Sequence, residues 1–567
     1  MKSSSSARTG RTLLCTQCPR PRPLFLPLPS SLPPKGRTTA PASSCLFFPS
    51  TFLRRRRKAF HSSSSASSLL LSNASPAAPA TREGAEAGTE TSAGLLPPTR
   101  PTDLKRGRAF AFCRDDLSTA LCHPITTEEE ATESGEGPPK AKERPTYRIF
   151  GALEGEEITF QPFRRKDGRL HEVIKASPLR GTPECPEYGR CGGCSLMHVD
   201  YPAQISLKTE KLWNILIEGG ISVKEEDKEK ILDPPIFDKQ YNYRQRARLS
   251  VRYDTKRDTV KVGFHHKWLQ GPVQVSGCRI MVPRLDGIAD KLSALIHGMD
   301  QRGSIPTIEL SVAEEGPALI VRHMNALSDN DKQRLLAFGE QNSFIMYTQS
   351  KGPETIQLLS DEPSHTQSNQ RLTERFQRLD LNIRFEPIDF RQVNHAVNER
   401  MLERAIHYLE LGPDDHVLDL FCGLGNFSLP VARRCASVVG VEGEANMVKR
   451  AKDNAIHNNI SNTSFFASDL YKPSLVGFSP WWPSDKINKV IVDPPRSGAS
   501  ETLKLLFLKL GEPQKLPERF VYVSCNPSTM VIGGRFLQEY GYTLRKTCLV
   551  DMFPNTAHME SISLYQR

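Results

Sequence analysis

The chain has 567 residues, with 75 Lys and Arg against 64 Asp and Glu, a formal charge of +11. Its 38% hydrophobic and 25% charged content is that of a soluble globular protein. The length leaves room for about three or four domains, no apolar run approaches the ~20 residues of a membrane helix, and thirteen cysteines over this length exclude a disulfide scaffold.

The charge is unevenly placed. Residues 1–82 hold 13 of the basic residues and no Asp or Glu, which leaves 62 basic against 64 acidic residues beyond them, a net charge of −2. Global charge is therefore no argument for nucleic-acid binding by the rest of the chain. Residues 1–82 are rich in Ser, Pro, Ala and Arg, with Ser3–Ser6, Ser62–Ser65 and the run from Arg54 to Lys58. A Ser-rich, Arg-bearing, acid-free leader reads as an organelle transit peptide, and Leu69-Leu70-Leu71 is too short for a secretory core. Abundant Ser and Pro favour the plastid (chloroplast), with the mitochondrion as the alternative. The competing reading is a disordered basic tail.

Residues 83–145 read as a disordered acidic linker, from Glu128-Glu129-Glu130 through Pro138-Pro139. One candidate barrel strand, Arg108–Phe112, interrupts it. Over 146–184, short β-rich runs at Tyr147–Phe150 and Ile158–Phe160 are separated by glycine turns, which predicts part of a small barrel. Lys166-Asp167-Gly168 reads as a hairpin turn.

A central region spans 185–385. Cys185, Cys191 and Cys194 lie within ten residues on a loop tightened by Gly192-Gly193, and Cys278 is a fourth candidate. Thiolates are natural ligands of iron–sulfur clusters and of zinc, and spacing alone does not separate the two. Apolar spacing from Gln204 to Gly219 predicts a helix. The segment Tyr241–Arg252 then places Arg244, Arg246 and Arg248 on one face of a strand. With tyrosines beside them, that row suits phosphate contact and base stacking; a solvated sheet face is the plainer alternative.

From 386 to 567 the pattern alternates strand and helix, as in a doubly wound α/β sheet with functional groups at strand carboxyl ends. The strand Val417–Phe421 runs into Gly423-Leu424-Gly425, and the third glycine of a dinucleotide fingerprint is replaced by Ser428. Glu442, ending the next strand, suits ribose hydroxyls. Asp469 suits an adenine amino group. Cys525, at the end of Val521–Ser524, is a nucleophile candidate. Glu560, between apolar neighbours, is a candidate base.

Seven motifs occur in one order: Cys185-x5-Cys191-Gly-Gly-Cys194, Tyr243–Leu249, Phe390–Asn394, Asp419–Phe427, Asp493–Arg496, Ser524–Pro527 and Phe553-Pro554-x-Thr556-x-His558-x-Glu560. Together they resemble the RNA uracil-5-methyltransferase family, in its iron–sulfur, large-subunit ribosomal RNA branch, over roughly Tyr147 to Arg567. The resemblance implies a C-terminal Rossmann-like class I S-adenosylmethionine (SAM) methyltransferase domain. It also implies a central α+β domain with an Fe–S loop and a partial N-terminal OB-like (TRAM) β-barrel. It implies SAM held by Gln392, Phe421, Asn426, Glu442, Asp469 and Asp493, and a [4Fe–4S] cluster on Cys185, Cys191, Cys194 and Cys278. Cys525 becomes the nucleophile and Glu560 the base. The expected partner is RNA, with 23S-type rRNA of an organelle foremost, tRNA second and no membrane; the expected state is a monomer. A non-catalytic Fe–S RNA-binding or ribosome-assembly factor is the reading from outside the enzymes, and the presence of both Cys525 and Glu560 argues against it.

Overall fold

Short strands that bury alternate residues form the N-terminal barrel. In the computed structural model, which describes residues 104–113, 116–124, 145–163, 166–360, 371–473, 486–510 and 515–567, β1 (Lys105–Cys113), β2 (Asp116–Pro124), β3 (Tyr147–Phe150), β4 (Glu157–Pro162) and β5 (Asp167–Lys175) close in the order β1-β2-β3-β5-β4. Antiparallel pairing of β1 with β4 completes the ring. Ala109, Ala120, Cys122, Ile149, Ile158 and Phe160 fill it. The barrel is thus closed rather than partial. Its β1 contains the Arg108–Phe112 candidate, and β2 falls within the stretch read as linker because Asp116–Pro124 has few large apolar residues to mark it. The transit-peptide expectation for 1–82 and the acidic run at Glu128 lie outside the described residues.

Gly168 is not a turn residue but lies inside β5, opposite Pro162. A Cβ there would stand 2.5 Å from Ile149 Cδ1 and 2.7 Å from Phe160 Cδ2, so the core requires glycine. Arg180 fastens the barrel to the next segment: its Nε lies 2.5 Å and its Nη2 2.6 Å from the two carboxylate oxygens of buried Glu156.

The central domain is a seven-stranded sheet of β6 (Arg246–Asp254), β7 (Thr259–His265), β8 (Pro272–Gln274), β9 (Thr307–Ala313), β10 (Gly316–Arg322), β11 (Ile345–Gln349) and β12 (Ile356–Leu358), in the order β12-β11-β10-β9-β6-β7-β8. Helix α1 (Tyr201–Glu218) precedes it, and α2 (Ile288–His297) and α3 (Asp329–Asn342) lie within it. A hairpin of β13 (Leu372–Phe376) and β14 (Leu381–Phe385) leads to α4 (His395–Leu409).

The C-terminal sheet comprises β15 (His416–Leu420), β16 (Ser437–Glu442), β17 (Thr463–Ala467), β18 (Lys489–Val492), β19 (Arg519–Ser524), β20 (Thr543–Val550) and β21 (Glu560–Gln566), ordered β17-β16-β15-β18-β19-β21-β20. Six strands run in one direction, and β21 alone among the seven runs antiparallel, between β19 and β20. Parallel strands covered on both faces read as apolar runs, which is how β15, β16 and β18 look. Alternate residues serve opposite faces. Val417, Ile491, Val521 and Ile562 pack on the α4 side. Leu418, Val490, Phe520 and Tyr522 pack with Trp213 and Leu216 of α1, beside α5 (Ser500–Leu510) and α6 (Pro527–Glu539). Helix α1, which follows the cysteine loop in sequence, is therefore part of the C-terminal domain's core.

Candidate active site and cysteine pocket

The carboxyl ends of β15, β16, β17 and β18 lie side by side, and each delivers one of the predicted cofactor residues. Beyond β15 the backbone turns sharply: Phe421 (φ 66°), Gly423 (φ 56°) and Gly425 (φ 92°) all take left-handed conformations. For Phe421 that conformation is costly and marks a site where the fold imposes it. The Gly423 N–H donates to Glu442 Oε2 at 3.1 Å, and Glu442 Oε1 accepts from the Gly443 and Glu444 N–H groups at 2.7 and 3.2 Å. Asn426 exchanges two amide hydrogen bonds with Asn398 of α4, at 3.1 and 3.2 Å. The Phe421 ring meets Tyr471 edge-on, with centroids 6.1 Å apart. Asp469 Oδ1 accepts from the Tyr471 and Lys472 N–H groups at 2.9 and 3.0 Å. Gln392 is half-buried on the segment before α4. Arg391 anchors that segment through Glu374 at 2.9 Å and Ser311 Oγ at 2.9 Å.

Sequence reasoning missed Asp419, inside β15. It is fully buried, Ser428 Oγ donates to its Oδ2 at 2.5 Å, and its Oδ1 has no hydrogen-bond partner among the described residues. Burial raises this carboxyl to about 7. An acid inside an otherwise apolar strand was the available signal.

The predicted nucleophile and base sit one step along the crest. Ser524 pairs with Ser561, so Cys525 just beyond β19 and Glu560 at the start of β21 face one another. Glu560 is 4% exposed, and burial, with the nearby charge of Asp493, pushes it up to about 8. Burial, then Glu560 and Asp493, push the Cys525 thiol up to about 11. Burial alone raises Asp493 to about 7. Arg496 is the opposing cation for both Cys525 and Glu560. Its guanidinium donates to His558 Nδ1 at 2.9 Å, and its carbonyl accepts from Asn526 Nδ2 at 3.3 Å and Thr529 Oγ1 at 3.2 Å. Arg496 and His558 belong to two of the seven motifs, which give them no role; their closeness to the pair is visible only in the fold.

Cys185, Cys191, Cys194 and Cys278 line one cavity together with Met197, Phe264, Val275 and Ile280. All four are free thiols. Burial pushes Cys191 up to about 12 and Cys194 well above the ordinary range, and the neighbouring cysteines raise both further. Four thiolates cannot gather in such a pocket without a cationic partner. Among the described residues, no three His, Cys, Asp or Glu converge as ligands of a single ion.

The arginine row divides. Arg244 donates to the Arg246 carbonyl at 2.9 Å and lies 5.8 Å from the Phe264 ring centre. Arg246 gives its guanidinium to the carbonyls of Asp389 at 2.7 Å and Ile388 at 3.1 Å. Arg248 pairs with Glu309 at 2.7 Å, yet its side chain remains 60% exposed. Of the three, Arg248 presents most to solvent.

The tRNA (Uracil-5-)-methyltransferase family model matches residues 367–567. The 23S rRNA (uracil(1939)-C(5))-methyltransferase RlmD of Stenotrophomonas maltophilia strain K279a is 39% identical over 424 residues, 74% of this chain and 91% of the relative. This chain belongs to the SAM-dependent RNA uracil-5-methyltransferases. The RlmD of Hahella chejuensis is likewise 39% identical, over 75% of this chain and 93% of its own. Among solved structures, the Pyrococcus abyssi tRNA (uracil-54, C5)-methyltransferase in complex with S-adenosyl-L-homocysteine superposes with a TM-score of 0.57, covering 81% of this chain and 99% of that one. At 20% identity that likeness speaks for the fold, a class I methyltransferase domain.

Proposed function

We propose that this protein methylates C5 of one uridine in the 23S-type rRNA of an organelle, the plastid first, through a covalent bond between Cys525 and C6. The observation that carries the reading is the placement of Cys525 opposite Glu560, with Asp493 and Arg496 beside them, at the end of the cofactor crest. SAM, when bound, supplies an electrophilic methyl group. The Gly423–Gly425 turn, Glu442, Asp469 and Gln392 are suited to hold it against that crest.

C5 of uracil is too weak a nucleophile to accept a methyl cation unaided. Attack of the Cys525 thiolate forms the S–C6 bond and moves the ring's electron pair to C5, which then takes the methyl group. Glu560, as carboxylate, removes the C5 proton. The electrons left behind restore the C5–C6 double bond and expel Cys525 as thiolate. A base raised to about 8 is matched to proton abstraction near neutral pH. The target uridine must leave its stack to reach this crest.

The RlmD relatives, covered over nine-tenths of their length, support ribosomal RNA over tRNA. The gathering of four cysteines in one buried pocket supports a thiolate-held metal centre, and the resemblance to the iron–sulfur branch of the family supports a [4Fe–4S] cluster there. Its ligands would be Cys185, Cys191, Cys194 and Cys278. The acid-free leader supports import into the organelle.

Incubation of purified protein and SAM with separate organellar rRNA and tRNA pools tests the substrate. Nuclease digestion and mass spectrometry should find new 5-methyluridine in a 23S-type fragment alone. Product confined to tRNA would overturn the rRNA assignment.

A further inference from the structure

Glu560 opens β21, yet the segment that delivers it, Asp551–Met559, contains no strand or helix. Something else must fix its course. At its centre Asn555 is fully buried and left-handed, with φ 65°, a conformation Asn tolerates better than most residues. Every polar group it has is engaged. Its N–H donates to Gln204 Oε1 at 3.0 Å; its Oδ1 accepts from Gln204 Nε2 at 3.2 Å and Gln240 Nε2 at 2.7 Å; its Nδ2 donates to the Gln240 carbonyl at 3.0 Å. Its carbonyl accepts two more bonds, from the Ser195 and Leu196 N–H groups, both at 2.9 Å.

Those last two donors follow Cys194 directly. Ser195 adds a third bond, its Oγ accepting from the Ala557 N–H at 2.9 Å. Tyr243 Oη donates to the Pro554 carbonyl at 3.0 Å from the other side. The end of the cysteine loop and the segment before Glu560 are therefore laced together through main chain and side chain, although they lie far apart in the sequence.

We infer that Ser195 and Asn555 are positioning residues for the base. They hold the 554–557 turn so that the Glu560 carboxylate reaches the C5 proton, and neither touches the reacting atoms. The inference deepens the proposed function and rests on it, since it needs Glu560 to act after methyl transfer.

That order of steps supplies the test. Losing the base late leaves the RNA methylated but still bonded to Cys525, so a denaturant-stable methylated protein–RNA adduct accumulates. Full-length Ser195→Ala, Ser195→Thr, Asn555→Gly, Glu560→Gln and Cys525→Ala would be compared in single turnover with radiolabelled SAM and the RNA substrate. In steady state, Ser195→Ala and Asn555→Gly should lower kcat about tenfold or more and KM for RNA in step with it, leaving kcat/KM nearly unchanged, because the slowed step follows methyl transfer. Both should accumulate adduct as Glu560→Gln does, and Ser195→Thr, which keeps the hydroxyl, should restore turnover. Wild-type turnover in Ser195→Ala, or equal loss of adduct and product in it, would overturn the positioning role. Should Asn555→Gly fail to fold, the Ser195 pair decides alone. Turnover surviving in Cys525→Ala would instead overturn the covalent reading, leaving a separate signature.

Discussion

A thiol and two carboxyls share the crest of β18, β19 and β21 under one cation, Arg496. In the proposed mechanism Cys525 and Glu560 act deprotonated, and burial favours the protonated form of each, raising them to about 11 and about 8. The rate should therefore rise with pH through and beyond 8. Arg496 favours the charged form of each, so Arg496→Gln removes a lowering influence and moves both groups further up. The acid limb of kcat/KM against pH should move to higher pH, and activity at pH 7 should fall about tenfold. An unmoved limb would show that Arg496 does not act on the pair. The sequence carries the identities of Cys525, Glu560, Glu442, Asp469 and Asp493 as strand-end residues, because a parallel strand reads as an apolar run with an abrupt polar end. Asp419 and the Asn398–Asn426 pair stayed hidden. The acid inside the apolar run of β15 marks burial but not the unpaired carboxylate oxygen, and no linear pattern brings two asparagines 28 residues apart into contact.

Among the elements, the barrel shows where linear reading stops. Its later strands were legible from Gly-punctuated β-rich runs, while β2 was lost in a polar stretch and the ring could not be seen to close. Closure depends on long-range pairing of β1 with β4, which leaves no local trace. Gly168 is the sharpest case: it looks like a turn signal and serves as a gap under Ile149 and Phe160. Gly168→Ala forces those side chains apart and should destabilise the barrel by about 1–3 kcal/mol, the usual cost of overpacking. SAM affinity, measured by calorimetry, should remain that of the wild type, since β5 lies outside the cofactor crest. A matching loss of SAM binding would show that the two domains do not respond separately.

Across the whole molecule, helix α1 and the cysteine loop reach from the central region into the catalytic sheet. Lys208 Nζ and Asp551 Oδ1 are 2.6 Å apart with both side chains fully buried, and Tyr201 Oη donates to the other carboxylate oxygen at 3.1 Å. Burial lowers the Lys208 pKa, while Asp551 works in the opposite direction. Lys208→Ala strands a buried carboxylate, which should cost about 3–5 kcal/mol in chemical denaturation. A change under about 1 kcal/mol would mean that the carboxylate finds another partner or takes up a proton. The +11 of the full sequence says little about this body, because residues beyond 82 are almost neutral; local groups must then supply any attraction for RNA, and exposed Arg248 is a candidate. In the proposed function these parts serve one reaction, the covalent chemistry at Cys525. The most direct measurement uses substrate RNA carrying tritium at uracil C5. With SAM, the wild-type protein should release that tritium to water and Cys525→Ala should release none, whereas undiminished release by Cys525→Ala would contradict catalysis through a Cys525 adduct.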